Sequence, residues 1–163
     1  MRTMTMMMVS GLLLAACGDK DDDTGADAVS GDDAQLAEDL WTATSGYSSW
    51  SQLKSWTGVT ASTDGTHGDY VQIWANPVAY DALAAGTAVP DGGILVKEGY
   101  TDEAGTDLKG ISVMQKITDY DSTNGDWFWA QYDSSGAASV SGAASGCYGC
   151  HSAYGDYTAF DEL

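Results

Sequence analysis

The sequence predicts an α+β domain whose main component is an antiparallel sheet. Three observations point to this class. Near the N-terminus, Leu36, Ala37, Leu40 and Trp41 recur at helical spacing and form one apolar face. Farther on, several stretches are rich in β-branched and aromatic residues, separated by turn residues such as Asp91-Gly92-Gly93 and Asn124-Gly125. Asn76-Pro77 starts a short crossover helix, and a glycine-bearing segment around Cys147 finishes the fold as a C-terminal helix. The 163 residues, with only Pro77 and Pro90, allow one core plus terminal extensions.

In chain order, residues 1–16 read as an export signal. Arg2 supplies positive charge, Met6, Met7, Met8 and Val9 begin a short apolar run, and Ala15-Ala16 are small residues before Cys17. The run is too short to span a bilayer permanently. Leu14-Ala15-Ala16-Cys17 resembles a bacterial lipobox, so Cys17 is expected to be the lipid-modified first residue of the mature chain. That reading places the protein in the periplasm, held to a membrane only through its N-terminal lipid. Residues 17–33 carry Asp19, Asp21-Asp22-Asp23 and Asp32-Asp33 and little to bury, and read as an acidic, disordered tether.

The domain itself covers residues 34–163. Asp32 or Asp33 can cap its opening helix. Residues 47–53 form either a second short helix or a loop. Residues 69–75 read as a strand, and the crossover helix then runs through Tyr80 and Leu83 to Gly86. Strands follow at 94–98, 110–117 and 126–132, with Asn124-Gly125 joining the last two as a hairpin. A weak strand near 138–140 precedes the C-terminal helix.

Cys147-Tyr148-Gly149-Cys150-His151 is the motif with the most specific chemistry. Two thiols at this spacing can add to two vinyl groups of one porphyrin, and the histidine that follows is carried beneath the ring to the iron. Cys147 and Cys150 are therefore expected to hold one covalent haem c, with His151 as the proximal ligand. With Cys17 acylated, they are the only thiols of the mature chain, which leaves no disulfide framework. Zinc would need a fourth ligand such as His67, and adjacent Cys150 and His151 suit one tetrahedral ion poorly. A redox dithiol normally opens a helix within a βαβ unit, and no such unit is visible.

For the other axial position the candidates are His67, Met114, a lysine, water or nothing. Met114 alternates with Val113 and Gln115 in a strand, so it is expected in the core or against the haem. His67 lies in Gly65-Thr66-His67-Gly68, where exposure or turn hydrogen bonding is expected in place of ligation. A vacant or water-bound iron is the resulting expectation. Trp127 and Trp129 share one face of their strand and Phe128 the other, and one of these faces walls the haem. Lys54, Lys97, Lys109 and Lys116 are the cations available to propionates, and Glu98, Asp126 and Gln131 the groups available to accept a proton.

Without residues 1–16 the chain has five cations against 24 acidic residues, a net charge of −19. Such a surface repels nucleic acid and anionic headgroups and attracts basic redox proteins.

Taken in order, several stretches resemble the cytochrome P460 domain, related to the β-type cytochromes c′. They are His67-Gly68-Asp69-Tyr70-Val71 with Trp74-Ala75-Asn76, Pro90-Asp91-Gly92-Gly93-Ile94-Leu95-Val96-Lys97-Glu98 and Val113-Met114-Gln115-Lys116. Gly125-Asp126-Trp127-Phe128-Trp129 and the C-x-x-C-H motif with Asp156-Tyr157 complete the set, over roughly residues 50–160. The resemblance implies a mainly antiparallel β haem protein with five-coordinate iron that handles small nitrogen species, nitric oxide or hydroxylamine. It also implies a homodimer. In the enzymes a lysine is cross-linked to the porphyrin edge. By register that lysine falls near Tyr100 or Thr101, where this chain has none, and Lys97 supplies it only on a shifted register. The alternative function is a six-coordinate electron-transfer cytochrome in which Met114 or His67 ligates.

Overall fold

The computed structural model describes residues 31–158. The export segment, Cys17, the tether as far as residue 30 and residues 159–163 lie outside the described residues. Helix α1 spans Gly31–Ala43, so Asp32 and Asp33 sit in its first turn, where the helix dipole favours acidic groups. The Asp33 carboxylate also accepts the Tyr120 hydroxyl at 2.8 Å, tying the helix start to the turn before Trp127. A 3-10 turn at Tyr47–Ser49 follows.

The sheet has seven strands: β1 Ser51–Gln52, β2 Thr60–Ala61, β3 Tyr70–Ala75, β4 Ile94–Tyr100, β5 Leu108–Lys116, β6 Trp127–Tyr132 and β7 Ala138–Gly142. Its order is β1-β3-β4-β5-β6-β7, every pairing is antiparallel, and β2 shares the outer edge of β3 with β1. The fold is the α+β class with a mainly antiparallel sheet. β1 and β2 are two residues each, too short to leave a period in the sequence.

Helix α2, Pro77–Ala84, crosses from β3 to β4. Asn76 starts it and also registers the next strand. Its Oδ1 accepts the Ala79 N–H at 2.9 Å and the Ile94 N–H at 3.1 Å, while its Nδ2 donates to the Gly92 carbonyl at 2.9 Å. Helix α3, Ser145–His151, follows β7 and carries the two cysteines and the histidine. Among the described residues no helix is long and apolar enough to cross a membrane.

Alternation along the strands gives the sheet two buried faces. On one, Val96, Val113, Phe128, Ala130 and Tyr132 pack against Ala37 and Leu40 of α1. On the other, Ile73, Leu95, Met114, Trp127 and Trp129 pack with Ala79 of α2 and with Cys147 and Tyr148 of α3. This second face, with the Trp127 and Trp129 side chains, carries the C-x-x-C-H helix.

Candidate haem site

Cys147 and Cys150 lie one helical turn apart on α3 and form no disulfide; Cys147 is half-buried and Cys150 exposed. His151 ends the helix. Its Nδ1 is 2.8 Å from the Tyr157 carbonyl oxygen. A carbonyl only accepts, so Nδ1–H donates and Nε2 keeps the lone pair that a metal needs.

Tyr157 is in place because the chain turns sharply after α3. Asp156 and Tyr157 both adopt left-handed backbone, at φ 47° and 58°. Such conformations cost on the order of 1 kcal/mol or more per non-glycine residue, so the surroundings must hold them. Lys116 meets the Asp156 carboxylate at 2.5 Å, the Val89 N–H donates to it at 2.7 Å, and Trp127 Nε1 donates to the Asp156 carbonyl at 2.9 Å. Lys116 also donates to the Gly125 carbonyl at 2.7 Å and lies 4.6 Å from the Trp127 ring centre. The sheet thus clamps the turn that orients His151.

Trp129 stands beside the imidazole, with ring centres 4.8 Å apart and planes at 65°. Its Nε1 is buried without a hydrogen-bond partner. An orphaned buried N–H costs about 1–3 kcal/mol, which a polar group of a bound molecule would relieve.

Opposite His151 is His67, from the loop between β2 and β3. The ring centres are 6.2 Å apart and the planes 84° from parallel. The sequence-based expectation of an exposed or locally bonded turn histidine is not met. The ring is half-buried, and its Nδ1 lies 3.0 Å from Ser112 Oγ on β5. Two glycines explain the placement. A Cβ at Gly99 would stand 1.7 Å from the His67 carbonyl oxygen, and one at Gly68 would stand 2.6 Å from the Tyr100 nitrogen. The loop therefore lies flat on β4 where side chains are missing. Lys109 reaches across to the Gly65 and Thr66 carbonyls at 3.3 and 3.2 Å.

Burial, helped by the neighbouring Lys97 and His151 charges, pulls His67 down to about 4, so its ring is neutral near neutral pH. Burial also lowers His151, against the bond to Tyr157, which acts the other way. Lys97 pairs in register with Ile73 and Ser112, which places it on this same face. Burial pulls its ammonium below the ordinary lysine range, and Asp64 partly opposes this.

The sequence model of the Cytochrome P460 family matches residues 44–158. The chain belongs to the cytochrome P460 family. It is accordingly a haem c cytochrome, as the C-x-x-C-H motif led one to expect. No curated protein matches the chain. In the family member seen here, the residues present fit the cofactor: two unbridged thiols one turn apart, a histidine with a directed lone pair, and an orphaned indole N–H beside it. Among the described residues, no three His, Cys, Asp or Glu side chains converge as the zinc alternative would require.

The other sequence-based candidates separate. Met114 is a core residue, 5% exposed. Lys109 and Lys116 hold the His67 loop and the Tyr157 turn. Glu98 lies on the α1 face, where its carboxylate receives the Tyr47 and Tyr100 hydroxyls, so it is not a proton acceptor for the site. Gln131 is exposed, and Asp126 accepts the Asp121 N–H within a turn. Ser112 and the Lys116–Asp156–Tyr157 clamp were not singled out from the sequence. Gly99, a glycine inside β4, was the available signal of a close backbone approach.

Proposed function

We propose that this cytochrome P460 protein is a periplasmic, lipid-anchored carrier of one covalent haem. In this reading it binds or redox-processes a small nitrogen ligand, nitric oxide or hydroxylamine, on the side facing His67. The observation behind this is the convergence of His151 with half-buried His67 and its partner Ser112, with Lys97 in register beside Ser112 on the same face. Bound haem would supply the iron that takes the ligand and exchanges an electron with it. Cys147 and Cys150 fix its position, and His151 supplies the proximal nitrogen in an orientation set by Tyr157. Trp129 and Met114 exclude water from one side. The Lys97 ammonium offers a donor to a polar diatomic or hydroxylamine oxygen, beside the neutral His67 ring.

The test is the purified, exported holoprotein. A haem stain that survives denaturation, and that disappears in Cys147→Ala/Cys150→Ala, supports covalent attachment. An optical shift on adding nitric oxide supports ligand chemistry. A spectrum that nitric oxide never alters would leave the second reading, an electron-transfer cytochrome with six-coordinate iron. That reading is favoured by the position of His67, and an acidic surface steering basic redox partners suits it. Mass spectrometry of the N-terminus tests the lipid on Cys17.

A further inference from the structure

We propose that a groove at the outer edge of the sheet, on the face away from His151, binds a neutral saccharide. This site is separate from the haem reading above and does not depend on it. The groove holds about 530 Å³, within the range of small-molecule sites, and runs beside β1 and β3.

Strand register places it. Gln52 of β1 is the partner of Trp74 on β3, and Gln72 lies two positions before Trp74, so these three side chains share one face. Ile73, between the last two, belongs to the cluster that includes Cys147 and Tyr148, so the groove opens across the sheet from the C-x-x-C-H helix. β1 pairs with Trp74 and Ala75, and β2 with Tyr70 and Val71, which leaves the edge of β3 without a paired strand at Gln72 and Ile73. Gln72 lines the groove at this gap.

The lining sets the chemistry of the occupant. Trp50, Trp74 and Tyr80 supply aromatic rings, Gln52 and Gln72 supply carboxamides, three further residues supply hydroxyls, and no charged side chain lines the groove. An ionic ligand would lose hydration there and find no counter-charge. A wholly apolar one would cover amides and hydroxyls without bonding them. A saccharide ring has apolar C–H faces for the aromatic rings and a rim of hydroxyls for the amides.

The polar groups are also unengaged. Among the described residues, the Gln72 carboxamide, the Tyr80 hydroxyl and the Trp50 indole nitrogen have no side-chain hydrogen-bond partner. Glu98, the cross-strand partner of Gln72, does not engage it, because both carboxylate oxygens receive tyrosine hydroxyls, from Tyr47 and Tyr100. Gln52 Oε1 accepts the Gly58 N–H at 3.0 Å, which fixes the amide and leaves its Nε2 hydrogens to donate. The floor is firm: Trp74 is 5% exposed and packs edge-on against Tyr47, with ring centres 5.2 Å apart. A groove held in shape in this way loses little freedom when it is filled.

The experiment titrates the holoprotein calorimetrically with trimers of glucose and of N-acetylglucosamine, and with a trimer of galacturonic acid as the anionic counterpart. Saturable binding of a neutral trimer, and none of the anionic one, is the expected result. Trp50→Ala should weaken binding about tenfold and Gln72→Leu about fivefold, while the haem spectrum and its response to nitric oxide stay as in the wild type. Tyr80→Phe removes only a hydroxyl and should weaken binding about threefold. These last two variants keep the test valid if circular dichroism shows Trp50→Ala to be unfolded. No binding of either neutral trimer, equal binding of the anionic one, or wild-type affinity in both Gln72→Leu and Tyr80→Phe overturns the proposal. Absence of haem on a denaturing gel would remove the functional reading above and leave the groove untouched.

Discussion

Phe128 and Trp129 are neighbours in β6, yet they end in opposite kinds of surroundings. Phe128 faces α1, wholly buried in a cluster with Val96, Val113 and Tyr132. On that side the Tyr132 hydroxyl donates to the Ala37 carbonyl at 2.8 Å, and the Tyr120 hydroxyl to Asp33. Trp129 faces α3, its indole nitrogen unpaired, beside His151 and on the face that also carries His67 and Lys97, three groups whose protonation burial disfavours. Both sides bury apolar clusters, and among the described residues each has one orphaned polar atom, Ser141 Oγ in register with Ala130 on the α1 side and Trp129 Nε1 on the other. The difference is that the α3 side adds titratable groups whose charged forms burial disfavours, at a cost in stability.

The strongest way to break this comparison is to empty the α1 side. Phe128→Ala should cost about 3–5 kcal/mol in denaturant unfolding and leave the haem spectrum of the folded fraction unchanged. If the spectrum moved as far as the stability, the two faces would not be independent. Asp156→Asn comes next, because it removes the charged partner of Lys116 beneath the Tyr157 turn. The expected loss is about 1–3 kcal/mol, with a shifted reduction potential as His151 loses its fixed orientation. A normal potential in that variant would mean that the turn needs no clamp.

Trp129→Phe sharpens the contrast from the other side. It keeps an aromatic ring but removes the orphaned N–H together with part of a buried side chain, so stability should fall by about 1–3 kcal/mol while haem affinity or spectrum changes. The smallest effect is a pH dependence. Because His67 is held at about 4, below the ordinary value near 6.5, the folded state binds fewer protons than the unfolded one. Its share of stability is whole above pH 6.5 and is lost as the pH falls toward 4. His67→Ala should flatten the stability profile in that window alone, as measured by urea unfolding at stepped pH.

Much of the fold was legible because its signals are local. The helical spacing of Leu36, Ala37, Leu40 and Trp41, the Asn76-Pro77 helix start and the Asn124-Gly125 hairpin all report on residues a few positions apart. β1 and β2 were not, since a pair of residues has no period. The site divided in the same way. Cys147, Cys150 and His151 are adjacent on one helix, whereas Ser112 meets His67 across 45 positions. Glu98 could not be placed from the sequence for the same reason: alternation sends it to the α1 face once β4 is in register.

By itself, then, the sequence determined the haem-attachment spacing, the α+β class and the acidic balance, each a property of composition or of neighbours along the chain. Tertiary structure decided which face of the sheet carries that helix. It brought His67 opposite His151 and placed Lys116 under Asp156. These depend on strand register and on the close approach at Gly68 and Gly99, where pairing between distant segments overrides what a turn does alone.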